Sequence, residues 1–325
     1  MLTNLMSPEN QPSTIARAVD LLRRGEVVAL PTETVYGLAG DGFNPQALAR
    51  IFAVKQRPLF DPLILHVLSL ADAERLLATS VPPAARALAE RFWPGPLTLI
   101  LPKRPEVPDL ATSGLPSVAV RVPAHPLSRA LLEAFGGPLA APSANRFGRI
   151  SPTTAEAVRQ ELGDAVPLIL DGGPCRVGLE STIVDCNGAK PLILRAGGLS
   201  IEEIESVVGP VDHATPVSEK PLAPGHLEHH YAPRKPLRLV DSLEALPPGD
   251  YRTTGLLAFD RVPEYAFAAV EVLSPGGDLI EAAAHFFAML RALDDSAAQQ
   301  LIAIRPPQRG LGVAINERLS RAQIR

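Results

Sequence analysis

Lys55-Gln56-Arg57 sets a flexible point charge two residues from a planar guanidinium fork, the two cation types that neutralise phosphates and carboxylates. Other arginines follow short apolar runs: Arg121 after 118–120 and Arg195 after 192–194, while Arg146 and Arg149 follow the Ser143-Ala144-Asn145 turn. In open α/β sheets ligands collect beyond strand ends, so the set points to a polyanion such as a nucleotide. Taken singly, each cation reads equally well as solvated surface, and the set carries the argument. Thr32-Glu33-Thr34 adds three polar side chains just where the apolar run 27–30 has ended in Pro31.

The familiar nucleotide signatures are missing from the sequence. No glycine-rich segment ends in Gly-Lys-Ser/Thr, and Gly172-Gly173 and Gly197-Gly198 read as turns rather than a dinucleotide fingerprint. No Gly-x-Ser-x-Gly elbow surrounds Ser143 or Ser181, which argues against a serine hydrolase. His226, His229 and His230 cluster without cysteine or helical register, so they are not read as a metal site. Cys175 and Cys186 are the only cysteines, which suits ordinary thiols in a reducing compartment. A net charge of −4 does not advertise non-specific nucleic-acid binding, so any basic surface must be local.

The elements that must position these residues are legible from pattern. Helical spacing over 15–22 ends in Arg23-Arg24-Gly25, and Asn44-Pro45 reads as an N-cap opening a helix through Ile51 and Phe52 toward Lys55. Apolar runs at 63–67, 97–101, 118–122, 139–141, 168–170, 182–184 and 192–194 are strand candidates, interspersed with helical patterns such as 82–92 and 154–162. The mixture predicts an α/β sheet with parallel and antiparallel pairings. A proline-rich stretch, 213–224, reads as a linker, after which strands at 237–240, 255–259, 270–273 and 301–304 and a helix at 279–293 predict a smaller, Rossmann-like parallel unit. The expected division is 1–212, a linker 213–236, and 237–325, as suits 325 residues. With 46% hydrophobic and 20% charged residues, and no apolar run near the roughly 20 needed to span a bilayer, no membrane role is expected. Residues 1–12 lack a secretory pattern, so a cytoplasmic location is expected.

An ordered series of segments then becomes informative: Pro31-Thr32-Glu33-Thr34-Val35-Tyr36-Gly37-Leu38, Lys55-Gln56-Arg57-Pro58, Pro62-Leu63-Ile64-Leu65-His66, Trp93-Pro94-Gly95-Pro96-Leu97-Thr98, Val118-Ala119-Val120-Arg121-Val122-Pro123, Ala141-Pro142-Ser143-Ala144-Asn145 and Glu180-Ser181-Thr182-Ile183. It resembles the YrdC-like threonylcarbamoyl-adenylate synthases. Ala223-Pro224-Gly225, His230-Tyr231-Ala232-Pro233 and Gly310-Leu311-Gly312-Val313-Ala314-Ile315 resemble the extra domain of that family's long form.

The resemblance implies a YrdC-like twisted mixed sheet with a concave basic cleft, plus the smaller domain. It implies condensation of L-threonine, bicarbonate and ATP, with Mg2+ and no organic prosthetic group, to threonylcarbamoyl-AMP and pyrophosphate for tRNA modification beside the anticodon. By the same resemblance Lys55, Arg57, Ser143 and Asn145 align the ATP phosphates, and Ser117, Ser151, Arg195 and Tyr231 make further ATP contacts. Thr32, His66, Arg121, Ala141 and Ser181 fall on the threonine and carbamate side. The linker carrying Tyr231 would fold over the cleft, and a downstream tRNA threonylcarbamoyl transferase and weak RNA contact are implied as partners. Read from local chemistry alone, Thr32 and Ser181 serve equally as turn caps and His66 as a satisfied core histidine. Two rival classes remain: an RNA-binding module without turnover, and a larger carbamoyltransferase or maturation factor, whose Cys-x-x-Cys pairs this sequence lacks.

Overall fold

Alternating side chains divide the first sheet into two faces. Its strands are β1 (Val28–Leu30), β2 (Gly37–Asp41), β3 (Ile64–His66), β4 (Leu97–Pro102), β5 (Ser117–Arg121), β6 (Leu139–Ala140), β7 (Thr182–Asp185), β8 (Leu192–Arg195) and β9 (Asp212–His213). The computed structural model describes residues 11–214, 223–224 and 230–323. The spatial order is β1-β2-β6-β3-β5-β4-β7-β8-β9, with β3–β5, β4–β7 and β8–β9 parallel and the other neighbours antiparallel. Leu65, Leu99, Val120 and Val184 join one core with the helices Pro45–Lys55 and Pro83–Phe92. Ile64, Ile100, Ala119 and Ile183, one residue out of step with them, form a separate patch against Ala223 of the connecting segment.

The helix Pro45–Lys55 forms as its sequence dictates. Asn44 accepts a hydrogen bond from Gln46 N, Pro45 opens the first turn, and Gln56 takes the left-handed conformation (φ 53°) that stops it. The expected strand at 168–170 is reduced to a bridge: Ala29 N donates to Leu168 O and Leu170 N to Ala29 O, and three-residue β1 offers nothing longer to pair with. β2 escapes a pattern reading because Gly-Leu-Ala-Gly-Asp has no β-branched alternation. Its Gly40 admits the neighbouring helix, since a Cβ there would lie 3.1 Å from Ile51 Cδ1.

The second sheet comprises β10 (Leu237–Val240), β11 (Tyr251–Ala258), β12 (Phe267–Val272) and β13 (Gln300–Ile304), ordered β10-β13-β11-β12 and wholly parallel. The helix Leu279–Asp295, capped by Asp278, packs with the terminal helix Leu311–Ala322. Buried Ala314, Ile315, Arg318, Leu319 and Ala322 share one face of the terminal helix, and the arginine within that stripe obscured its periodicity. The second core also takes in Val35, Ile150, Leu179 and Ala196 of the first unit, so the two units meet through an apolar seam. Of the expected linker, 215–222 and 225–229, including His226 and His229, lie outside the described residues. Among the described residues no helix is long and apolar enough to cross a membrane.

Gly178 lies at this seam with φ +73°, and a Cβ there would sit 2.3 Å from Ala283 O. Gly178→Ala should lower stability by about 1–3 kcal/mol through overpacking in addition to backbone strain. Gly209→Ala, at a similar positive φ in open space, carries the strain alone. Urea unfolding midpoints of the two variants should differ in that order.

Candidate active site

Strand ends and turns of the first unit surround a cavity of about 40 Å³, closed by Pro224, His230 and Tyr231 of the connecting segment. Lys55, at the C-terminus of its helix and 1% exposed, does not itself line the cavity, and neither do Asn145, Ser117 and Ser151; it acts on the wall through the turn that carries Ser143. Its Nζ donates to Ser143 O (2.5 Å) and Asn145 O (2.6 Å), so two of three donors fasten the Ser143-Ala144-Asn145 turn. Burial, then repulsion from Arg57, holds its pKa well below the usual lysine range. Arg57 donates to Asp61 O (3.0 Å) and Pro62 O (2.7 Å), and its guanidinium lies 2.8 Å from the Asp61 carboxylate. Burial lifts the Asp61 carboxyl despite this partner.

On the opposite side, Arg121 donates to Glu33 Oε1 (2.5 Å) and Gly95 O (3.2 Å), and Glu33 Oε2 accepts from Ala124 N (2.9 Å). Burial pushes Glu33 upward, but Arg121 and these hydrogen bonds outweigh it and hold the carboxyl below its ordinary range. Arg195 donates to Ser181 O (2.8 Å) and Pro224 O (2.9 Å), tying β8 to the residue before β7 and to the connecting segment. Ser181 shares a 2.7 Å hydrogen bond with Thr98. Ser151 donates to Glu180 Oε1 at 2.5 Å.

Several buried atoms around the cavity keep unspent capacity. His66 Nδ1, Asn145 Oδ1 and Tyr231 Oη have no hydrogen-bond partner among the described residues. Buried polar atoms are normally paired, and such a cluster is what a polar ligand would satisfy. His66 lines the cavity with its Nδ1 unpartnered, so this nitrogen at least is not satisfied by the core. Burial, reinforced by Arg121, lowers its pKa to about 3, so it presents a neutral imidazole.

Arg57, His66, Arg121, Ala141, Ser143, Ser181, Arg195 and Tyr231 line the cavity directly. Thr32 does not. Its Oγ1 is engaged with Thr34 Oγ1, Val35 O and the Thr34 and Val35 amides, a turn cap that presents Thr34 and Val35 to the cavity instead. Ser117 begins β5, four residues from Arg121 but on the same strand face, and the β3–β5 register sets it level with Pro62 at the Arg57 end. Arg146 and Arg149 turn away, to Glu161 O and Asp294 respectively. Sequence reasoning sought cations and passed over the carboxylates that hold them: Glu33, Asp61 and Glu180. The available signal was adjacency, since Glu33 neighbours Thr32 and Glu180 neighbours Ser181. Among the described residues no group of three or more His, Cys, Asp or Glu side chains could hold a metal ion.

Two family models match the chain: one described as "Telomere recombination", covering Sua5, YciO and YrdC, over residues 20–197, and "Threonylcarbamoyl-AMP synthase, C-terminal domain" over 199–323. Fold and site thus define a YrdC-like domain with an appended C-terminal domain. Threonylcarbamoyl-AMP synthase of Bacillus subtilis is 40% identical, covering 96% of this chain and 93% of its own. The Pyrococcus abyssi enzyme of the same name is 39% identical over 94% and 92%. The crystal structure of P. abyssi Sua5 complexed with L-threonine superposes with a TM-score of 0.87 at 37% identity, covering 95% of this chain and 93% of that one. The chain belongs to the long form of the threonylcarbamoyl-AMP synthase family.

The neutral state of His66 links the site to stability. Below the ordinary histidine value of 6.5 the unfolded chain binds a proton that folded His66 refuses until about pH 3. Stability should therefore fall as pH drops through that window, by up to about 1.4 kcal/mol per unit from this group. Denaturant unfolding at pH 7 and pH 5 should show a shallower pH dependence in His66→Asn, and an unchanged dependence would mean that His66 is not buried neutral.

Proposed function

We propose that this chain is a threonylcarbamoyl-AMP synthase, joining L-threonine, bicarbonate and ATP. The observation that carries this reading is the convergence of Arg57, Arg121 and Arg195 with the unpartnered His66 and Tyr231 atoms on one small cleft, whose Ser143 turn is fastened from behind by Lys55. The threonine amine takes up bicarbonate with loss of water to give a carbamate, whose oxygen attacks the α-phosphorus of ATP. Pyrophosphate leaves and a mixed anhydride remains. No protein nucleophile is required, only alignment and charge stabilisation.

Lys55, Arg57 and Arg195, with the Ser143 and Asn145 turn, are assigned to the triphosphate, and Ser117 and Ser151 to the rest of ATP. Arg121, held by Glu33, offers a fork to the threonine carboxylate, while neutral His66 and Ser181 hydrogen-bond the carbamate side along the wall formed by Ala141. Thr32 shapes that wall through its turn. Among the described residues no carboxylate cluster would hold Mg2+ by itself, so the ion would arrive with ATP and would supply charge neutralisation at the phosphates. The anhydride then passes to a tRNA-modifying transferase, and any RNA contact is weak and local.

A cavity of about 40 Å³ cannot admit ATP, so His230 and Tyr231 must withdraw for entry and return to exclude water from the anhydride. Tyr231→Ala should accordingly shorten the lifetime of the adenylate, followed by rapid chromatography after a quench.

Incubation with ATP, Mg2+, L-threonine and bicarbonate, omitting each in turn, should release pyrophosphate only with all present. Lys55→Ala should reduce the rate by at least about 100-fold, as expected for losing a donor at the charge-developing centre. Tight RNA binding without turnover would instead favour a binding module.

A further inference from the structure

The terminal helix sends one charged side chain across the seam into the first unit. Arg318 is 1% exposed, its Nε donates to Glu180 Oε2 at 2.9 Å, and its Nη1 donates to Ala196 O at 2.6 Å. The adjacent Glu317 accepts from Ala196 N at 3.2 Å, so two consecutive helix residues grip both backbone groups of the residue after Arg195. The Arg318 guanidinium carbon also lies 5.4 Å from the Tyr231 ring centroid. One side chain thereby touches the carboxylate that receives the Ser151 proton, the backbone beside Arg195, and the aromatic ring closing the cavity.

Adhesion between the domains does not explain this arrangement. A buried ion pair is weak evidence for stability, because well-packed apolar residues hold an interface as well or better. What an arginine adds is direction and charge. Held by Arg318, Glu180 remains an acceptor at both oxygens, so the Ser151 hydroxyl proton is committed to it. Ser151 does not itself line the closed cavity that Glu180 lines, and on nucleotide entry its oxygen is left to accept from a ligand. In ATP the donors are the ribose hydroxyls and the adenine amine, never the ionised triphosphate.

We propose that Arg318, from the second domain, is a positioning residue of the adenylation site: by fixing Glu180 as an acceptor it makes Ser151 an acceptor toward the nucleoside of ATP. The inference rests on the synthase reading above and deepens it, making correct docking of the second domain a condition for ATP recognition rather than for threonine recognition. The charged and titratable groups acting on Glu180 are Arg318, Arg195, Lys55 and Tyr231; burial opposes its ionisation, and Arg318, Arg195 and the Ser151 hydrogen bond outweigh that opposition. Without Arg318, burial would favour a protonated Glu180, which would donate to Ser151 and reverse the serine's role.

The test is steady-state pyrophosphate release by Arg318→Met, Arg318→Lys and Glu180→Gln, varying ATP and threonine separately between pH 6.5 and 9. Arg318→Met should raise KM for ATP by about tenfold or more at pH 7, the range expected for a lost charge-assisted hydrogen bond. Its KM for threonine should stay within about twofold, on the same reasoning that the threonine side keeps its own partners. Raising the pH should recover the ATP KM as Glu180 ionises. Arg318→Lys should recover most of the affinity at pH 7, and Glu180→Gln should show a raised ATP KM without the pH recovery. Should Arg318→Met fail to fold, Arg318→Lys and Glu180→Gln decide the matter by themselves. Equal loss for both substrates, or lowered thermal stability with an unchanged ATP KM and pH profile, overturns the role. Wild-type protein without turnover would instead strike the synthase reading itself.

Discussion

Positive charge taken out of water is the constraint on which the site depends. Lys55, Arg57, Arg121, Arg195 and Arg318 are all buried, and an ion so placed is tolerated only when hydrogen-bonded or paired. The structure meets this with fixed partners. Backbone carbonyls of Ser143 and Asn145 hold Lys55, Asp61 holds Arg57, Glu33 holds Arg121, and Glu180 holds Arg318. These partners come from strand ends and turns, and the mixed order of the sheet brings them together. A cation already desolvated and oriented has little reorganisation left to undergo when a phosphate or carboxylate arrives, so the expense of burial becomes preorganisation.

Features set by neighbours in sequence were the legible ones. Asn44 and Pro45 announce a helix start because capping is local, and the parallel second sheet follows from apolar runs separated by turns and a helix. The motifs resembling one family run through most of the cavity wall, but of the residues singled out in them Thr32, Lys55 and Asn145 lie off it, and Thr34, Val35 and Glu180 line it instead. β2 was hidden because its Gly40 serves helix packing and its Gly37 close approach to Ala141 instead of alternation, and the terminal helix because Arg318 interrupts its apolar stripe. Partnerships across long separations were least visible. Arg318 meets Glu180 138 residues away, and Arg121 meets Glu33 88 residues away, so no local window contains both members. Thr32 illustrates the opposite limit: its neighbours belong to the wall, but its own hydroxyl is consumed by a turn whose hydrogen bonds follow local geometry.

The connecting segment and the second domain meet over the cavity through mixed chemistry. Tyr231, at φ 68°, is buried against Phe287 on one side and Arg318 on another, while Ala232 N donates to Gly148 O. Pro224 is held through Arg195. Polar links thus fix where the segment lies, and apolar contact supplies much of the reason for it to stay.

That apolar seam has a thermal consequence. Val35, Ile150, Leu179 and Ala196 share a core with Phe286, Phe287 and Leu290 of the second domain, so parting the units would hydrate hydrocarbon surface. Hydration of this kind carries a positive heat capacity, and the attraction it opposes weakens on cooling. Any opening of the cleft that parted these units would therefore grow easier on cooling and harder on warming, until general unfolding intervened.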